Sequence, residues 1–477
     1  MEHYMEALRL NPSMWQALVG KAICCAIEDT KEAYHNAIEL ETSALEILDN
    51  KGMQPDSDMN SDSLNAIKHD ASERIAKYYT GLSQIDKTVE AYNRALQYSN
   101  RCSQCITKLL VSYSMTERYQ EVIKFLKSME EPIPGLNYTR LSETLLTTPN
   151  YSHIESYFQV VAQAASAENE MPFIFKMYQN AITAAQSQQK SLEAMHLELS
   201  LAVLYDRNGQ SDCAAKIWEN IVTKYSNINL IEAQSKLTRV KFFAYISLGR
   251  YCLREAIEYG KDSNEAQQYG DMLEHLAKVK RGGEKTVGAS ALARMLGSWY
   301  RFMGRNEEAD SCFRVQIKEG LRMLSDDDAD NDLEAYINLA SVLTAADDDE
   351  NALPLYWKAR STAGSILKDE IPGEYLCDAC FSWSEGPVAI CRYCFDTGFC
   401  PKCFQVFKAD PSSINICSQK HCWAMAEGRP KEAREVVDVG RLWVDGEHMT
   451  LEDFKKRLAT RWNTCMAPST MANILIE

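Results

Sequence analysis

Leu296-Gly297-x2-Tyr300-x3-Gly304-x4-Ala309-x3-Phe313 decides the fold, because its small and large residues recur at the spacing of two helices joined by a tight turn. Leu201-Ala202, Tyr205, Gly209, Ala214 and Trp218 repeat that spacing without a gap, and so do Leu339-Ala340, Leu343, Asp347, Ala352, Tyr356 and Ala359. Small residues let the two helices of a unit approach and large ones fill the space to the next unit, while Gly209, Gly304 or Asp347 turns the chain. Weaker copies run from Ile75-Ala76 through Tyr79, Tyr92 and Ala95, and from Leu109-Leu110 through Tyr113 and Val122, starting 34 residues apart. Segments 140–195 and 225–290 read as helical with only a vague register.

The period and the Leu-Gly/Tyr/Gly/Ala/Phe template resemble the tetratricopeptide repeat. That resemblance implies a helical solenoid with a concave face for a protein or peptide. Trp15, Leu18, Thr30, Tyr34 and Ala37 read as one more copy, preceded by Tyr4 to Leu10 as the second helix of a repeat. An array that begins mid-repeat is expected to have lost or continued its first units N-terminally, or to start with a frayed helix. Lys51 to Ser63 is polar and reads as a loop between copies.

After the repeats, seven cysteines and a histidine fall within 45 residues, between Cys377 and His421. Cys377/Cys380, Cys391/Cys394 and Cys400/Cys403 are Cys-x2-Cys pairs, and Cys417-x3-His421 completes eight ligands, the number that two tetrahedral zinc ions need. The gaps between pairs are too short for separate knuckles, which predicts an interleaved cross-brace. Cys377, Cys380, Cys400 and Cys403 are assigned to one ion, and Cys391, Cys394, Cys417 and His421 to the other. Cys422 stands next to His421 and competes with it on sequence alone. Disulfides suit secreted chains, and nothing in Met1 to Leu10 is a secretory signal.

The expected fold class is therefore mainly α: a tetratricopeptide-like solenoid followed by a small cross-brace two-zinc module and a short β-hairpin plus helix. The expected organisation is repeat-like helices at 1–50, a polar loop at 51–63, the solenoid at 64–368, the zinc module at 374–426, and a hairpin with an amphipathic helix at 434–465. Leu442 to Met449 reads as a strand pair around Asp445-Gly446, and Thr450-x2-Asp453 as a helix cap. The apolar stripe Leu451, Phe454, Leu458 and Trp462 is expected to pack on the zinc module or the last repeat.

At 477 residues and 45% hydrophobic content the chain can bury real cores, and no stretch approaches the roughly 18 apolar residues of a membrane helix. Scattered thiols suit a reducing compartment, so a cytoplasmic or nuclear location is expected. A net charge of -16 argues against a chain built to grip nucleic acid. The acidic runs Ser325 to Asp332 and Asp347 to Glu350 read as solvated inter-helix loops; from Asp328 an EF-hand would need Gly and Glu where Leu333 and Leu339 stand. Cys102-x2-Cys105 reads as a pair of core thiols.

Catalytic signatures are absent. Neither His-Glu-x2-His nor Gly-x-Ser-x-Gly occurs, and both Gly-Lys pairs are followed by the wrong residue for a phosphate loop, Ala22 and Asp262. Four protein ligands on each zinc would leave no position for water, so the zinc is expected to be structural and the protein not an enzyme.

Cys377-Asp378-x-Cys380, then Cys391-x2-Cys394-x-Asp396-x3-Cys400-x2-Cys403, resembles the ZZ-type zinc finger, although that family ends in His-x-His where this chain has Cys417-x3-His421. The combination of helical repeats, this module, Cys417-x3-His421-Cys422-Trp423 and the ending from Gly440-Arg-Leu-Trp-Val444-Asp-Gly446 to Trp462 also resembles the C-terminal region of fungal repeat proteins related to NACHT and other STAND receptors. The ZZ resemblance implies a recognition unit in which Asp378 and Asp396 face a peptide N-terminus; their alternative role is to orient the zinc loops. The function expected is a non-catalytic interaction scaffold for a protein or peptide partner, with no nucleic acid and no membrane. A RING-like ubiquitin ligase and the sensor half of a STAND receptor whose motor lies elsewhere are the alternatives.

Overall fold

The computed structural model describes the chain apart from residues 52–60, 101, 134, 137, 148–155, 225–233, 279–286, 327–328, 367–374, 381–382, 385–386, 395–396, 411–416, 427–440 and 465–477. Two compact units divide it, Met1–Leu201 and Ala202–Glu477. The first contains α1 (Glu2–Leu10), α2 (Trp15–Ala26), α3 (Lys31–Lys51), α4 (Ser61–Gly81), α5 (Ile85–Tyr98), α6 (Ser103–Met115) and α7 (Tyr119–Ser128). It continues with α8 (Arg140–Thr147), α9 (Ser156–Ala167), α10 (Met171–Ser187) and the start of α11 (Ser191–Arg207). The second carries α12 (Ser211–Lys224), α13 (Gln234–Tyr259), α14 (Asn264–Lys278), α15 (Val287–Phe302), α16 (Asn306–Met323), α17 (Ala329–Ala345) and α18 (Asp349–Ile366). Consecutive helices pack as hairpins, α2 on α3, α4 on α5, α13 on α14, α15 on α16 and α17 on α18, which is the mainly α, tetratricopeptide-like architecture. Around the expected polar loop, α3 runs on through Lys51 and α4 already starts at Ser61; the remainder, 52–60, lies outside the described residues.

One backbone device closes many of these hairpins. Gly209, Gly304 and Asp347 have φ of 75°, 77° and 57°, and Ser83, Glu117, Asn169 and Gln189 adopt the same left-handed conformation at 57°, 55°, 55° and 58°. In each case the next residue donates its N–H five positions back, from Gln84 to Tyr79, Arg118 to Tyr113, Glu170 to Ala165, Lys190 to Ala185, Gln210 to Tyr205, Arg305 to Tyr300 and Asp348 to Leu343, at 2.8–2.9 Å. This is the Schellman closure, which satisfies carbonyls that the ending helix leaves unpaired. The tyrosines of the repeat template thus accept through their backbone at the turn, while their rings pack.

Close approach explains the small residues of the opening motif. A Cβ built on Gly297 would lie 2.6 Å from Cε1 of Phe313, a ring with no exposed surface. Ala309, Ala340 and Ala352 are equally buried, at 0%, 0% and 1%. Gly297→Ala should gain about 1 kcal/mol of helix propensity but lose about 1–3 kcal/mol to overpacking against a ring that has nowhere to move. A net destabilisation of about 0–2 kcal/mol is expected in urea denaturation; a more stable variant would mean that α15 and α16 are not held at this distance.

β6 (Arg441–Val444) and β7 (Glu447–Thr450) form a hairpin whose turn residues, Asp445 and Gly446, both have positive φ, 52° and 85°. α20 (Leu451–Arg461) follows, with Thr450 Oγ1 accepting from Asp453 N at 3.1 Å. Phe454 and Leu458 are fully buried, and Lys455 Nζ donates to Leu324 O and Ser325 Oγ at 3.1 Å each, so the stripe lies on the last repeats.

The acidic turn Asp347 to Glu350 corrects the sequence reading. Its Asp348 is not solvated: it is 2% exposed and accepts from Trp462 Nε1 at 2.9 Å, Arg461 Nε at 2.8 Å and Asn351 Nδ2 at 2.9 Å. Glu350 pairs with Arg457, and Asp347 and Asp349 pair with Arg392. All four carboxylates pair with cations from later in the chain, but only Asp348 is withdrawn from water; Asp347, Asp349 and Glu350 stay about half exposed.

Candidate metal centre

β1 (Tyr375–Leu376) pairs antiparallel with β2 (Trp383–Ser384), and Cys377 and Cys380 lie in the connection between them. β3 (Val388–Cys391) runs between β4 (Gly398–Phe399) and β5 (Trp423–Ala426). Cys391 ends β3 opposite Trp423, and Cys394 sits in the turn toward β4. Cys400 is the N-cap of α19 (Pro401–Ala409), with Cys403 in its first turn, so a helix N-terminus faces these two sulfurs. Phe399, Phe404, Phe407 and Trp423 make the apolar centre, with ring centroids 5.0–5.6 Å from the Trp423 ring. So small a core cannot hold a domain of this kind without cross-links.

The donor atoms gather in two sets. Those of Cys377, Cys380, Cys400 and Cys403 lie within 4.8 Å of one another, and so do those of Cys391, Cys394, Cys417 and His421. These are the two interleaved sets that the spacing predicts. In the second, His421 Nδ1 is 3.3 Å from each of the three sulfurs, and Cys417 Sγ is 3.5 Å from Cys391 Sγ and 3.7 Å from Cys394 Sγ. With Zn–S near 2.3 Å and Zn–N near 2.0 Å, the corners of a zinc tetrahedron are roughly 3.5–3.8 Å apart. The residues fit the ion. The first set is slightly looser, with 4.0 Å between Cys380 Sγ and Cys400 Sγ.

Backbone amides already point at the sulfurs: Cys394 N donates to Cys391 Sγ at 3.2 Å and Cys400 N to Cys377 Sγ at 3.3 Å. Such bonds favour thiolate. Hydrogen bonds from Cys391 and Cys417 hold the Cys394 thiol well below its ordinary value, whereas burial pushes Cys391 and Cys417 up. Burial would lower the His421 imidazole, but the neighbouring sulfurs of Cys394 and Cys391 carry it up to about 10. Zinc binds thiolate and neutral imidazole, so loading this set would release protons. Cys422 is exposed; its backbone oxygen accepts from Arg392 N at 3.0 Å and its Sγ from the Tyr393 hydroxyl at 4.0 Å, and it belongs to neither set.

Of the two carboxylates of the expected peptide-end pocket, Asp396 lies outside the described residues. Asp378 is tied to β4: its Oδ2 accepts from Gly398 N at 2.7 Å, and its own N–H donates to Gly398 O at 3.0 Å. Burial holds the Arg207 guanidinium down to about 10, and the Asp378 carboxylate is the leading charge acting against that. An acid bonded to backbone and facing a buried cation is suited to orienting the loop between the Cys pairs.

The docking residues carried no motif. Val388 and Ile390 pack on Leu353 and Tyr356 of α18. Arg392 Nη1 donates to Asp349 Oδ1 at 2.8 Å and Thr344 O at 2.7 Å, and Glu258 of α13 takes Ser418 Oγ and Lys420, the latter at 3.1 Å. Arg254 pairs with Asp206 at 2.8 Å with both side chains largely buried, 7% and 16% exposed; burial opposes its charge, and Asp206 and then Cys394 sustain it. A zinc ion with three thiolates and one imidazole would be net negative, and Arg254, already paired with Asp206 and Glu255, is a cation whose field reaches Cys394 of this set.

No protein-family model matches the chain, and no curated protein matches it. Among solved structures, a chain in the structure of Naa15/Naa10 bound to HypK-THB is similar at 13% identity over 77% of this chain and 55% of that one, with a TM-score of 0.21. The chain thus spans about half the length of that protein, and a likeness at this level carries no argument about function.

Proposed function

We propose that this chain is a non-catalytic, zinc-binding interaction scaffold, whose tetratricopeptide-like array binds a protein or peptide and whose ZZ-like module serves as a second recognition unit. The observation that carries the reading is the completeness of both donor sets. Four protein ligands each give zinc a folding role and leave no open position for hydrolytic chemistry. Anchoring supports it too: Arg392, Ser418 and Lys420 fix the module on the repeats, as a display surface requires. Among the described residues no helix is long and apolar enough to cross a membrane, in keeping with partners in solution.

The test presents the zinc-loaded full chain to an array of peptides with free and acetylated N-termini, alongside a ubiquitin-transfer assay with a panel of charged conjugating enzymes. Peptide binding that chelation abolishes, with no transfer, is the expected result. Preference for free N-termini would assign amine capture to the module despite the engagement of Asp378. Ubiquitin transfer, or the lack of any peptide binding, would overturn the scaffold reading.

A further inference from the structure

A further group of metal-ligating side chains lies in the first unit, where the sequence suggests only core thiols. His69 on α4 is 8% exposed, and its Nε2 is 3.5 Å from Sγ of the fully buried Cys105 on α6. Cys102 is the N-cap of α6, its Sγ accepting from Cys105 N at 3.4 Å. The donor atoms of His69, Cys102 and Cys105 all lie within 4.8 Å of one another. On the other side of the imidazole, Nδ1 is 3.0 Å from Asp70 Oδ1. A carboxylate that fixes one ring nitrogen and aims the other at thiols is the arrangement by which metal-ligating histidines are oriented.

We propose that His69, Cys102 and Cys105 form a third metal site, for zinc or a similarly thiophilic divalent ion, with three protein ligands and the fourth position open. Three arguments support the choice of metal. Two thiolates and a neutral imidazole exactly neutralise a divalent charge, so the complex can be buried without a leftover ion. The N-terminus of α6 stabilises thiolate at Cys102. Soft sulfur donors select zinc over the hard cations that His69, Asp70 and Glu73, the overlapping set, would suit. Cys102 is only half-buried, so the open position is on the solvent side, where water completes the tetrahedron. The pair has a rival use, closure to a disulfide, which would leave the buried His69 without its sulfur partners.

The test compares metal content of the full chain, wild type against Cys102→Ser, after chelation and reloading with zinc under reducing conditions. Serine is a better N-cap than cysteine, so this variant removes the ligand while keeping α6. One equivalent fewer in Cys102→Ser, and likewise in His69→Gln, is the expected result. Cobalt(II) should show the same difference as a weakened sulfur-to-metal charge-transfer band. The readout is a difference, so it stands whether or not the C-terminal sets load. Equal metal content in wild type and Cys102→Ser, or a Cys102–Cys105 disulfide that persists in the metal-loaded chain, would overturn the site.

Discussion

Cys391→Ser is expected to remove one bound zinc ion per chain and to loosen the whole module from residue 375 to 426. Cys391 Sγ touches His421 Nδ1 at 3.3 Å and Cys417 Sγ at 3.5 Å, and its residue is 3% exposed. Serine cannot supply a thiolate, and three remaining donors without a fourth bind zinc much more weakly. Each structural ion contributes on the order of 10–16 kcal/mol in zinc-finger peptides at neutral pH, far above what the Phe399, Phe404, Phe407 and Trp423 cluster can supply. Elemental analysis should show the missing ion, and near-UV circular dichroism the loss of fixed aromatic packing. Cys422→Ser is the control, because that thiol is exposed and outside both sets; it should change neither signal. A full zinc complement in Cys391→Ser would sink the second site.

The site was legible in the sequence because metal spacing is a local property. Two cysteines three apart share a turn, and the short gaps between pairs force interleaving, so Cys377/Cys380 meet Cys400/Cys403 across the intervening pair. The choice between His421 and Cys422 was not local. It follows from the pairing of Trp423 with Cys391, after which the Cys422 backbone binds Arg392 and its side chain faces outward. The third set was hidden for the same reason: His69 stands on α4, with α5 between it and Cys102, and no spacing rule joins them.

The repeats divide likewise. Turns at Gly209, Gly304 and Asp347 announce themselves by residue type, as Asn169 does outside any clear register, whereas Ser83, Glu117 and Gln189 make the same closure with residues that carry a weaker signal or none. Left-handed backbone costs such residues about 1–2 kcal/mol, and the hydrogen bond five residues back, with the packing of both helices, offsets it. Tertiary context therefore overrides composition at those turns. It also overrides the acidic pattern at Asp347 to Glu350, whose partners Arg392, Arg457 and Arg461 come from more than 40 residues later in the chain.

That acidic turn gives the second large effect. Asp348→Ala should release α20 from the last repeat and destabilise this part of the protein by about 3 kcal/mol, since hydrogen bonds to charged groups contribute about 1.5–3 kcal/mol each. Three donors converge on one carboxylate, from Trp462, Arg461 and Asn351. Arg461 is half-exposed and recovers water when its partner goes, which keeps the sum below three full bonds. Trp462 and Asn351 cannot recover so easily beside a residue only 2% exposed. Asp348→Asn separates charge from shape, because one amide oxygen can still accept from Trp462 and Arg461, which share one carboxylate oxygen, while the NH2 replaces the oxygen that accepts from Asn351. Hydrogen exchange should place the loss in α20 and the start of α18 for Asp348→Ala, and a smaller loss in the same amides for Asp348→Asn. Unchanged exchange in α20 would show that Phe454, Leu458 and the Lys455 bonds to Leu324 and Ser325 hold the helix by themselves.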